Sequence, residues 1–116
     1  MTLREALKHH TGSFHDSIEE NPFAKRLKDR TLDEAFYGRF LVANYHFYDA
    51  LEGALAPMGR ALAGFGLDLS KRKRTPHLRD DLAALGRSEP AGPSRPISLP
   101  RCDSPAFAFG VIYVIE

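Results

Sequence analysis

Tryptophan is absent from the 116-residue chain, and cysteine occurs once, as Cys102. A single thiol excludes an internal disulfide and fits a reducing cytoplasm. An excess of one charge is lacking too. Sixteen Lys and Arg stand against fifteen Asp and Glu, and the resulting +1 does not mark the chain as a polyanion binder. Long hydrophobic runs are missing: the strongest, Ala106 to Ile115, spans ten residues, about half of what a membrane span needs. The first residues, Met1-Thr2-Leu3-Arg4-Glu5, turn amphipathic at once and carry no apolar signal core, so export is not expected. There is no Gly-rich phosphate loop, no Cys-X-X-Cys pair and no serine nucleophile elbow. What remains is the size and composition of one small soluble domain.

The pattern that is present is helical, with no strand alternation and no internal repeat. Thr2 with Glu5 makes a capping box that opens a first helix running to about Glu20, weakened in the middle by Gly12. Asn21-Pro22 interrupts it, and Pro22 suits the first position of a short continuation through Phe23 and Leu27. Thr31 with Glu34 forms a second capping box. It leads a long helix from Leu32 to about Ala56, with Phe36, Phe40, Ala43, Phe47, Leu51 and Leu55 at helical spacing. Pro57 ends or kinks that helix. Gly59, Gly64 and Gly66 are expected to loosen the chain around the apolar segment Ala61 to Leu69. Thr75 reads as an N-cap before Pro76, and Gly86 as a stop, so a short helix lies between.

From Arg87 to Pro105 five prolines and Gly92 predict a loop, longer than most connections in a compact domain. Asp103-Ser104-Pro105 then looks like another helix start. Residues Ala106 to Ile115 are apolar on every face, the pattern of a helix at the centre of a bundle. The sequence stops at Glu116 without a closing glycine or polar tail, which reads as a fragment of a longer domain, with apolar surface on 106–116 exposed for homo-oligomer contacts.

His15 and Glu19 carry the chemistry. Four residues apart on an amphipathic helix, they share a face. His15 lies at the edge of the apolar stripe Leu3, Leu7, Phe14, Ile18. One ring nitrogen can point into a pocket while the other is held by a carboxylate, as in metal-ligating histidines. The plainer alternative is a partly buried histidine that only packs.

Leu7-Lys8, Thr11, His15, Glu19 and Phe23 resemble the proximal-helix signature of haem oxygenases. Asn44-Tyr45-His46-Phe47-Tyr48-Asp49-Ala50-Leu51-Glu52 resembles the family's aromatic stretch ending in Ala-Leu-Glu. Lys71 to Gly86, with Asp80-Asp81-Leu82-Ala83-Ala84-Leu85-Gly86, is similar to a short helix of the small bacterial, biliverdin-producing members. Leu99-Pro100-Arg101 through Tyr113-Val114-Ile115-Glu116 resembles the lead into their distal helix.

The resemblance implies an all-α, haem-oxygenase-like helical bundle over residues 1–116, truncated at the start of the distal helix. It implies that His15 is the proximal axial ligand of haem iron, that Glu19 steadies its other ring nitrogen and that Lys8 reaches a haem propionate. Haem is then both cofactor and substrate, opened oxidatively to biliverdin, carbon monoxide and iron with oxygen and electrons from an external reductase or ferredoxin. The family's Gly-rich distal kink would follow Glu116, and Gly12 stands where some members have another lysine. The alternatives are a non-catalytic haem- or tetrapyrrole-binding or sensor module, or an inactive fragment of the family. No nucleic-acid or membrane partner is expected.

The remaining features weigh less. Lys71-Arg72-Lys73-Arg74 could steer an acidic reductase or the haem carboxylates but reads first as a solvated loop. With no aromatic platform beside it, it is thin as a nucleic-acid patch. Adjacent His9 and His10 do not converge on one ion. His46, between Tyr45 and Phe47, is expected in the core or at its boundary with its hydrogen bonds satisfied. Cys102 is expected in a loop without thiol chemistry.

Overall fold

Local chemistry at the first residues starts the fold as expected. The Thr2 N–H donates to Glu5 Oε2 at 2.7 Å and the Glu5 N–H donates to Thr2 Oγ1 at 3.2 Å, a reciprocal capping box. These bonds hold the Glu5 carboxyl below its usual range. A computed structural model describes residues 1–93 and 96–115, so residues 94–95 of the proline-rich loop and the terminal Glu116 lie outside the described residues. The elements are α1 (Leu3–Glu19), α2 (Pro22–Lys28), α3 (Glu34–Leu55), a 3₁₀ turn (Ala56–Met58), α4 (Gly59–Gly64), a second 3₁₀ turn (Leu69–Lys71), α5 (Thr75–Ala84) and α6 (Pro105–Ile115). No strand occurs among the described residues, and the class is all-α.

The chain divides into two compact units, Met1–Phe40 and Leu41–Glu116, with the division inside α3. In the first, Asn21 Oδ1 caps α2 by accepting from the Phe23 N–H at 2.9 Å, and Pro22 takes the opening position. Phe23 stacks on Phe40, ring centroids 3.6 Å apart, and less closely on Phe36. The Arg26 guanidinium lies 4.3 Å over the Phe36 ring and 3.5 Å from Asp33 Oδ2.

At the end of α2, Thr31 donates its N–H to Arg26 and Arg30 donates to Leu27. That is a Schellman motif, the closing turn that needs a left-handed residue. Arg30 supplies it with φ 57°. This corrects the expected Thr31–Glu34 box and the start at Leu32. Thr31 is used up in closing α2, and Asp33 caps α3 by accepting from the Phe36 N–H at 2.7 Å.

In the second unit a core forms from Leu51, Leu55, Leu62, Cys102, Ala108 and Ile112. Of the segment that the glycines were expected to loosen, the first part is a helix, α4, with Gly59 and Gly64 at its ends and Leu62 completely buried, and a turn follows at Phe65 and Gly66. Burying Leu62 outweighs the weak propensity of the flanking glycines. Gly66 (φ 87°) and Gly86 (φ 72°) close α4 and α5 in the same Schellman geometry that Arg30 adopts.

Ser104 caps α6, its Oγ accepting from the Phe107 N–H at 3.2 Å. The core covers α6 on one side and leaves apolar surface open on the other. Ala108 and Ile112, one turn apart, are sealed, while Phe107, Tyr113 and Val114 are exposed. Cys102 is also more than a loop residue: it is buried in the core, 3.9 Å from the Pro100 carbonyl, and anchors the approach to α6.

Thr75 does not cap α5. It is the first helical residue, and Glu52 from α3 provides the cap instead. Glu52 Oε1 accepts from the Arg74 N–H (2.6 Å) and the Thr75 N–H (3.3 Å), and Oε2 accepts from the Thr75 hydroxyl (2.8 Å). A full carboxylate at a helix N-terminus is a stronger acceptor than a threonine side chain. Buried Tyr45 donates its O–H to Glu89, whose carboxylate also meets Arg79 Nε at 3.2 Å. This ties residue 89 of the long loop to α3 and α5.

Candidate functional site

α1 spends its polar side chains locally. The Thr11 and Ser17 hydroxyls donate to carbonyls four residues earlier in their own helix, and no residue of α1 is buried. Lys8, Thr11, His15 and Glu19 then fall along one line of the helix surface, because steps of three and four residues nearly complete whole turns. The exposed apolar stripe Leu3, Leu7, Phe14, Ile18 runs beside that line.

Nδ1 of His15 lies 3.4 Å from Glu19 Oε1, with the two side chains 73% and 69% exposed. A partly buried histidine that only packs is therefore not what the structure contains. Asp16 joins them: one ligand atom from each of His15, Asp16 and Glu19 lies within 4.8 Å of the others. No basic residue occupies the last turn of α1. Carboxylates at this negative end of the helix dipole work against helix stability, each by about 0.3–1 kcal/mol at an exposed site.

Lys8 lies seven residues before His15 on the same face, roughly 10 Å along the axis. Spacing in the sequence does not reveal Asp16, because adjacent residues on a helix put their Cβ atoms on different bearings, while a short carboxylate can still swing toward the cluster. The His9 and His10 rings meet edge to face, centroids 5.3 Å apart. His46 is half-buried, edge-on to Tyr45, and in the other unit.

A family profile described as heme oxygenase matches residues 1–90. The chain belongs to the haem oxygenase family. The matched range takes in the α1 line, the aromatic stretch of α3 and the whole of α5, and leaves α6 outside. No curated protein and no solved structure matches the chain. Haem oxygenases take haem as their substrate. No helix among the described residues is long and apolar enough to cross a membrane.

The α1 face suits that substrate chemically. It carries an imidazole with a carboxylate 3.4 Å from one ring nitrogen, a lysine on the same face, and exposed leucine, phenylalanine and isoleucine side chains. The donor set fits haem.

Proposed function

We propose that the chain binds haem through His15 and acts in its oxidative opening to biliverdin, carbon monoxide and iron. The observation that carries this reading is the His15–Glu19 pair, solvent-facing within the family-matched segment. With Nδ1 turned toward Glu19, Nε2 is the nitrogen left to ligate. Lys8 holds a propionate as a point charge. When bound, haem supplies the iron centre at which oxygen is reduced. The protein residues bind and orient it; electrons come from an external reductase or ferredoxin, in the cytoplasm.

The test is a haemin titration of the purified chain followed in the Soret region. One-to-one binding with a histidine-ligated spectrum is expected, lost in His15→Ala and weakened about tenfold or more in Glu19→Gln, the usual size of effect when a ligand's supporting partner is removed. Ascorbate or a reductase is then added and biliverdin is sought by its absorbance and mass. A ligated spectrum unchanged in His15→Ala overturns the site. A ligated chain without biliverdin makes it a haem-binding module of the family and not an enzyme.

A further inference from the structure

The 41–116 unit encloses a second feature that the haem reading does not use. A cavity of about 470 Å³ opens among α3, α5, α6 and the second 3₁₀ turn. That is within the size range of small-molecule sites, roughly 300–1,000 Å³. Its inner wall is apolar, formed by Leu51, Leu55 and Ile112, all buried, with Leu69 and Ile115 beside them. Its exposed side carries Arg72, Lys73 and Arg74.

Of these three, Arg72 is already engaged with a partner. Glu52 spends both oxygens on the start of α5, and Glu89, outside the cavity, engages Arg79. Asp49 also lines the cavity, and no ion pair of Lys73 occurs among the described residues. The Arg74 guanidinium sits 5.3 Å over the Tyr48 ring, which steadies one cation at the mouth.

We infer that this cavity binds a small amphipathic anion, an apolar chain or ring bearing one carboxylate or phosphate head group. The apolar body fills the wall of Leu51, Leu55 and Ile112. The head group is met by Lys73 and by Arg74, whose guanidinium presents forked donors to either anion. This site is separate from the α1 line and does not depend on haem binding.

The experiment is isothermal calorimetry of the full chain with decanoate below its micelle-forming concentration, beside decyl phosphate and uncharged decanol. Saturable one-to-one binding of an anionic ligand is expected, weaker at high salt. Lys73→Glu should weaken it at least tenfold. Gly59→Leu adds a side chain at the cavity lining, where an added Cβ meets the Leu69 side chain at an ordinary 3.8 Å. It also replaces a helical glycine, so the fold is kept while the cavity is narrowed. Binding should be weakened at least tenfold in Gly59→Leu without loss of helical signal. A preference for decanoate or decyl phosphate identifies the head group, and either one supports the anionic class. Equal binding of decanol, no saturable binding, or indifference to both variants overturns the site.

Discussion

Phe14, on the 17-residue helix α1, is 69% exposed, whereas Leu62, on a helix of six residues, is sealed at 0%. Both belong to helices whose apolar residues point one way. Helical periodicity in a sequence reports a face, and only neighbouring elements decide whether that face is covered. In the 41–116 unit, α4 is short and glycine-bounded but is met by the core. In the 1–40 unit, α1 is long and well capped, and its apolar stripe and its imidazole share a surface open to a ligand.

The sharpest way to break this contrast is a pair of truncations. Leu62→Ala should cost about 3 kcal/mol, the usual loss for a buried leucine. Phe14→Ala should change stability by less than about 0.5 kcal/mol, as surface substitutions do. Urea unfolding measures both, and similar losses would mean that α1 packs as the core does. Next in size is Glu52→Ala, which strips the start of α5 of its acceptor and should cost about 1–2 kcal/mol. Normal stability in that variant would show that α5 stands without α3. Within the 1–40 unit, Arg30→Gly should stabilise by about 1 kcal/mol. A non-glycine residue held left-handed carries roughly that penalty, and an unchanged melting temperature would remove the strain assigned there.

The smallest effect is expected along the pH axis. The Tyr45 hydroxyl first, and the Arg79 charge second, hold the Glu89 carboxyl below the ordinary 4.5. The folded chain therefore binds fewer protons there than the unfolded one. The stabilisation is present above the ordinary value and is lost as pH falls through the lowered one. The hydrogen bond to Glu89 pushes the Tyr45 hydroxyl above 10.0, so its contribution persists below that value and is lost as pH rises past the raised one. Melting temperature should be flat between those limits and fall on both sides. Glu89→Gln should reduce the acid slope, leaving the share of Glu5 and Asp68, whose carboxyls are also held low, and a parent-like acid slope in that variant would assign it to those carboxylates.

Helix boundaries written by neighbouring residues were legible in the sequence: Thr2 with Glu5, Asn21 before Pro22, Ser104 before Pro105, and Gly86 as a stop. Boundaries that depend on competition were not. Thr31 looked like a cap but was taken by the closing turn of α2, and Thr75 was outbid by a carboxylate 23 positions earlier. The His15–Glu19 pairing could be read because four-residue spacing is a property of any helix. The cavity could not, since its walls come from residues 48 to 115 and no local pattern records such an assembly. Burial of Cys102 was hidden for the same reason, in a stretch whose prolines speak only of irregular backbone.

The Glu52 cap has a kinetic consequence. The Arg74 and Thr75 amide protons, which begin a helix, have no partner inside it and are shielded by a side chain of α3. Their exchange with deuterated solvent can proceed only when that carboxylate lets go. These two amides should therefore exchange together, at a rate set by separation of α3 from α5 and not by fraying of α5 itself. The start of one helix becomes a clock for the opening of another.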